Sequence, residues 1–215
     1  MKQRFSGLKV VFFAVAITLA VSATLSSLGA VPVRQSSSGT LVSGTYVNPL
    51  QVALLYWYPA NKTTTFAVGA EPQGVAFDGT DIWVANFDSN NITELQASTG
   101  KLLGTFAAGT HPEGVAFDGA NMWVADYDGN NVTKLRASDG KVLGTFVAGT
   151  HPWGVAFDGA NIWVTNYGSN NVTKLRASDG TNLGTFPVGT TPYGVAFDGA
   201  NVWVTNVGGN TVSKR

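Results

Sequence analysis

There is no cysteine among the 215 residues. That removes disulfides, thiolate metal ligands and a cysteine nucleophile together. Charge of either sign is scarce, and Lys plus Arg balances Asp plus Glu at 13 each, so neither a nucleic-acid-binding surface nor an acidic tail is indicated. Histidine is nearly missing too: His111 and His151 are the only two. No stretch carries apolar residues at i, i+3, i+4 and i+7 over ten residues, which excludes a helical solenoid. After residue 30 no apolar run is long enough to cross a bilayer.

The chain does contain a sentence repeated four times, whose clearest copy runs Gly154-Val155-Ala156-Phe157-Asp158-Gly159-Ala160-Asn161-Ile162-Trp163-Val164-Thr165-Asn166. Trp83, Trp123, Trp163 and Trp203 mark it at a spacing of 40 residues. Each unit holds four short apolar stretches. In the third copy these are Gly154–Asp158, Ile162–Asn166, Val172–Arg176 and Leu183–Val188, separated by Asp-Gly and Gly-Ser-Asn turns. Such turns between β-rich runs signal hairpins. Four strands in about 40 residues make one propeller blade, so the expected fold is an all-β propeller of four four-stranded repeats.

Both faces of each strand are apolar, as a sheet packed between neighbours requires. Val155 and Phe157 point one way and Ala156 the other, while Trp163 opposes Ile162 and Val164. The four Trp are expected between blades. Gly149, Pro152 and Gly154 bracket the step from one blade to the next. Asp78, Asp118, Asp158 and Asp198 read as turn formers rather than calcium ligands. Lys134, Arg136, Lys174 and Arg176, with Glu94 in the first copy, read as a solvated rim.

The domain reading is a signal peptide over 1–30, a linker with a short helix over 31–61 and a propeller over 62–215, in repeats 65–104, 105–144, 145–184 and 185–215. Lys2, Arg4 and Lys9 precede an apolar run from Val10 to Leu25, and small residues follow. That is the layout of an export signal, with an uncleaved anchor as the alternative. The expected location is therefore periplasmic, cell-surface or secreted, with membrane contact only if the signal stays. Gln35 to Thr45 is a Ser/Gly/Thr-rich linker. Asn48 and Pro49 can open a helix over 49–57 that Pro59 stops, with Leu54, Leu55 and Trp57 covering one end of the repeats; an edge strand is the rival reading.

The second and third copies, Thr105–Gly144 and Thr145–Gly184, differ at only nine positions. Variation falls on the residue between Pro and Gly, which is Gln73, Glu113, Trp153 or Tyr193. It also falls at the end of the second strand, on Asn86, Asp126, Asn166 or Asn206, and on the turn beyond. Alternating strand direction puts both sets on one face near the inner strand, where loops on a rigid scaffold carry binding. These eight residues are the candidate ligand contacts. His111 and His151 are weak metal candidates that would need Glu113 or Asp126 as helpers. No cofactor is indicated.

Trp163-Val164-Thr165-Asn166-Tyr167-Gly168-Ser169-Asn170 resembles the signature of the YVTN-type β-propeller repeat family, with Trp where Tyr is usual. The resemblance covers about residues 62 to 215 and implies an exported or surface-associated repeat protein. A weaker likeness is to streptogramin lyase-like propellers, which carry His between Pro and Gly and Glu at the end of the second strand; this chain has neither. Three functions are expected on these grounds: a non-catalytic scaffold binding a protein, peptide or carbohydrate; a metal-dependent lyase- or lactonase-like enzyme; or a fragment of a longer propeller. Thr63–Gly69 matches the fourth strand of a blade and is expected to complete the last one, closing the ring; an open arc or a ring shared between two chains is the alternative.

Overall fold

The computed structural model describes residues 63–215. The signal, the linker and the 49–57 helix lie outside the described residues. Residues 72–214 form 15 strands in four antiparallel sheets. Blade 1 holds β1 (Pro72–Phe77), β2 (Asp81–Asn86), β3 (Asn91–Gln96) and β4 (Leu102–Ala107). Blade 2 holds β5 (Pro112–Phe117), β6 (Asn121–Asp126), β7 (Asn131–Arg136) and β8 (Val142–Val147). Blade 3 holds β9 (Pro152–Phe157), β10 (Asn161–Asn166), β11 (Asn171–Arg176) and β12 (Asn182–Pro187). Blade 4 holds β13 (Pro192–Phe197), β14 (Val202–Asn206) and β15 (Thr211–Lys214), with a 3-10 turn at Val207–Gly209. Within each sheet the strands follow chain order.

Each first hairpin is closed by its Asp. In blade 3 the Asp158 Oδ1 accepts the N–H groups of Ala160 and Asn161 at 2.9 and 2.6 Å, and Oδ2 accepts the Trp163 indole N–H at 2.8 Å. Gly159 sits between them at φ +96°, a conformation that strains any residue with a Cβ. The same arrangement recurs at Asp78, Asp118 and Asp198. The aspartate therefore both shapes the turn and satisfies an indole that would otherwise be buried without a partner.

The core lies between blades. Trp123, Ala125 and Val132 of blade 2, with Phe146, meet Ile162, Val164 and Leu175 of blade 3, with Val155 and Phe157. Blades 1 and 2 meet through Trp83 and Ile92 against Met122, Val124 and Leu135. Trp163 and Val172 meet Val202 and Val204. The two-faced reading of the strands and the inter-blade position of Trp83, Trp123 and Trp163 are thus seen directly, whereas Trp203 on blade 4 is 40% exposed. Inner strands meet in the sequence β1, β5, β9, β13. They come so close that a Cβ on Gly74 or Gly114 would lie 2.1 or 2.2 Å from the carbonyl oxygen of Glu113 or Trp153 in the next blade.

Two expectations change. Lys134 is not a solvated rim residue: it is 6% exposed, lies 4.8 Å over the Trp123 ring and donates to the Ala177 carbonyl at 2.7 Å. Its aliphatic stem covers apolar surface while the ammonium reaches a backbone acceptor on the next blade. Arg136 and Arg176 do lie on the rim, paired with Asp139 and Asp179. The second change concerns ring closure by Thr63–Gly69. Blade 4 has three strands, and Phe66–Gly69 stands beside blade 1 instead, its Gly69 N–H donating to Asn86 Oδ1 at 3.1 Å. The crossover into β1 places this segment next to blade 1, just as β4 stands beside blade 2.

Candidate functional site

Between consecutive blades the chain makes one repeated crossing. The residue before each Pro of β1, β5, β9 and β13 (Glu71, His111, His151, Thr191) takes a left-handed conformation, φ +49° to +56°. That is strained for a residue with a Cβ, and more so before proline. Hydrogen bonds hold it. The His151 N–H donates to Asn130 Oδ1 at 2.9 Å and its carbonyl accepts the Tyr167 N–H at 2.9 Å. A tightly specified crossing of this kind projects the next residues, Pro and the variable position, onto the end of the inner strand.

Trp153, Tyr193, Tyr127 and Tyr167 gather there. The Trp153 ring lies 4.3 Å from Tyr193, 5.8 Å from Tyr167 and 5.5 Å edge-on to Tyr127, centroid to centroid. Tyr193 is 38% exposed, while Glu113 is only 3% exposed. Burial pushes the Glu113 carboxyl up to about 7; Glu71 adds to the rise and His111 opposes it. Glu113 in turn raises the phenols of Tyr127 and Tyr193, in each case after burial as the main cause. Three of the four variable inner-strand positions therefore join one aromatic and acidic patch. Gln73, on the end blade, is exposed.

Asn86, Asp126, Asn166 and Asn206 are not ligand contacts on this geometry. All four are buried, at 1% exposure or less. Asn86 and Asn166 accept the N–H of Gly69 and Gly149, and donate to Asn91 and Thr93, and to Asn171 and Thr173. They are clamps that hold the blade step. Asp126 accepts from Gly109 and Thr133 but has no amide to give. Burial raises its carboxyl to about 6, and Asn131 Oδ1 is left buried without a partner.

The His pair is close, but not to the expected helpers. His111 Nδ1 lies 2.5 Å from Asp128 Oδ2, and His151 Nε2 lies 3.8 Å from Asp128 Oδ1. Each ring also stacks on an aromatic of the preceding blade, His111 on Phe87 at 4.2 Å and His151 on Tyr127 at 4.4 Å, both 9° from parallel. Phe87, Tyr127 and Tyr167 were not singled out from sequence, though their common place one residue beyond the second strand was a readable signal. Among the described residues, one further group could approach a cation: Asp78, Asp81 and Glu94, whose oxygens lie within 4.8 Å of one another. Burial raises the Glu94 carboxyl, and Asp81 and Asp78 raise it further. In blade 2 the corresponding residues are Asp118, Asn121 and Lys134, where Asn121 donates to both Asp118 oxygens.

No family model matches the chain, and no curated protein matches it either. Solved structures do. Hydrazine synthase of Kuenenia stuttgartiensis aligns with TM-score 0.62 at 20% identity, over 72% of this chain and 48% of that one. Streptogramin B lyase gives 0.60 at 18%, over 70% and 57%. The WD40 β-propeller domain of Doa1 gives 0.57 at 14%, over 71% and 52%. The chain spans about half the length of these neighbours. Its class is accordingly that of β-propeller-like blade proteins, and at these identities the likeness speaks for the fold alone.

Proposed function

We propose that the protein is an exported, non-catalytic β-propeller scaffold of the YVTN type that binds a ligand on the face formed by Trp153, Tyr193, Tyr127 and Tyr167 around Glu113. The observation that carries this reading is the half-exposed aromatic cluster set over a buried carboxyl. Aromatic faces stack on the C–H faces of sugar rings or on apolar and cationic peptide side chains, and rigid rings do so at low entropic cost. Glu113, neutral below about pH 7, adds a hydrogen-bond donor at the centre.

The test is titration of Trp fluorescence with panels of short oligosaccharides and peptides. A saturable change that Trp153→Ala abolishes while the melting temperature holds supports the reading. A hit whose affinity Trp153→Ala leaves unchanged refutes this face. The second reading, a metal-dependent lyase-like enzyme, draws on His111 and His151 sharing Asp128. Bound divalent metal lost on Asp128→Ala would favour it.

A further inference from the structure

The two ends of the blade row are unlike each other and complementary. On blade 1, Val75 is 64% exposed and Phe77 56%, whereas their counterparts Val115 and Phe117 pack against the core of the blade 1–2 interface. On blade 4, Trp203 is 40% exposed and Val212 58%, whereas Trp123, Val132 and Val172 are fully buried. Among the described residues β15 pairs with β14 alone, and its other edge is open. Exposed apolar faces beside an open edge are a recurrent mark of an interface.

The chain also holds a copy of the fourth-strand sequence that no sheet uses. Thr65-Phe66-Ala67-Val68-Gly69 repeats Thr105-Phe106-Ala107-Ala108-Gly109, which spans the end of β4. Phe66–Gly69 stands where the last strand of a preceding blade would stand. The Phe66 ring covers Gly100 as Phe106 covers Gly140 and Phe146 covers Gly180. Gly69 donates to Asn86 as Gly109 donates to Asp126 and Gly149 to Asn166. A place for three more strands is thus marked beside blade 1, and a sheet of three strands exists at the other end.

We infer that two copies of this chain join head to tail into one ring of eight blades, with Phe66–Gly69 of each copy serving as the fourth strand of the other copy's blade 4. The register follows from blade 3, where Val172 faces Phe186 and Asn171 faces Pro187. It places Val212 opposite the partner's Phe66 and Thr211 opposite the partner's Ala67. A second copy fits better than self-closure because Phe66–Gly69 is already seated on blade 1, unpaired with blade 4. The row of four blades, moreover, spans 52% of the Doa1 propeller domain and 57% of streptogramin B lyase, so propellers of this kind have room for a second such row. A head-to-tail contact used twice between two half-rings closes and leaves no edge. Closure would also bring two Trp153–Tyr193 patches to one central face, whether or not that face binds the ligand proposed above.

The experiment is light scattering on the purified full chain over a hundredfold range of concentration, with two variants. The expected result is twice the chain mass. Gly194→Ala is the first variant. Within one chain its new Cβ meets only Thr205 Oγ1, at 3.2 Å, whereas Gly74 and Gly114 face the next blade's carbonyl at 2.1 and 2.2 Å. The ring would put the partner's Gln73 carbonyl there, so the variant should stay folded and dissociate at least tenfold more readily. Ala67→Cys with Thr211→Cys is the second, in a chain with no other cysteine. Oxidation should give a covalent dimer. A monomer at every concentration, an open-ended polymer, a disulfide within a single chain, no disulfide, or a folded Gly194→Ala dimer as tight as wild type would each overturn the inference.

Discussion

Blade 2 places an acid where the other three blades place an amide, and the consequence can be worked out for Asp126→Asn. The Asp126 carboxyl is held at about 6, against an ordinary 3.8, because it is buried. A folded-state value above the unfolded one means that the folded protein binds the extra proton. The contribution of this group to stability is therefore greatest below pH 3.8 and is lost as pH rises through 6. A displacement of roughly two units corresponds to about 3 kcal/mol, at about 1.4 kcal/mol per unit. Asn at this position would keep the acceptor for Gly109 and add a donor for Asn131 Oδ1, which now has none. Asn86 and Asn166 make that bond at 2.7 Å in blades 1 and 3. It adds about 1 kcal/mol. Asp126→Asn should thus stabilise the fold by roughly 3–4 kcal/mol above pH 7 and by about 1 kcal/mol or less below pH 4. Urea titrations of both proteins at pH 4, 6 and 8 measure this, read as midpoint at constant m-value. A gain independent of pH would refute the buried-carboxylate account, and a loss of stability at pH 8 would refute the clamp geometry as well.

Trp123→Ala should cost about 3–5 kcal/mol in chemical denaturation, since Trp123 is fully buried between blades, while Trp153→Ala should cost under about 1 kcal/mol; equal losses would contradict the division between core and face. Gly114→Ala should destabilise by roughly 1–3 kcal/mol, because its Cβ would strike the Trp153 carbonyl, and an unchanged melting temperature would mean the inner strands are less tightly apposed. Ligand affinity through a protonated Glu113 should fall as pH rises through about 7, and Glu113→Gln should flatten that profile; an identical slope in the variant would remove Glu113 from the site.

Most of the architecture was legible because a 40-residue period with Asp-Gly turns and two-faced apolar strands admits few folds. In the third copy the strand boundaries read from sequence fall within two residues of β9 to β12. The side of the sheet was legible too: Ile162, Val164, Val155 and Phe157 share one cluster and Trp163 lies in the next. Less was legible at the site. Glu113, Trp153 and Tyr193 stood out because they vary within an otherwise repeated motif, and the fold brings them together at one end of the inner strands. The same criterion also picked Asn86, Asp126 and Asn166, which are buried clamps, and Asn206, which is buried but leaves the Gly189 N–H to Ser213. Variation between repeats marks a position that is free to differ, and an Asn-to-Asp change is possible inside a hydrogen-bonded step as well as on a surface. Lys134 was misplaced for a related reason. Charge suggests solvent, but a lysine stem beside Trp123 with a backbone carbonyl in reach of its ammonium is satisfied when buried.

The nine differences between blades 2 and 3 separate two kinds of constraint. Met122 and Ile162 exchange within the core with volume nearly kept, and the packing around Trp83 and Trp123 is preserved. Five others, at 113, 125, 126, 128 and 129 in blade 2, cluster along the end of the second strand, its turn and the inner-strand tip. Three of the five place an acid in blade 2, namely Glu113, Asp126 and Asp128, where blade 3 has Trp153, Asn166 and Gly168. Two of these acids are buried and have raised carboxyls, and the third bridges the two His residues. A repeat shaped by packing alone would replace Asp126 with the amide its neighbours use, because the acid leaves Asn131 unsatisfied and adds a buried charge. The cost falls on one blade and at one end of it, next to the aromatic patch. Local instability concentrated beside one face, with the scaffold behind it unchanged, is what the proposed binding face would lead one to expect.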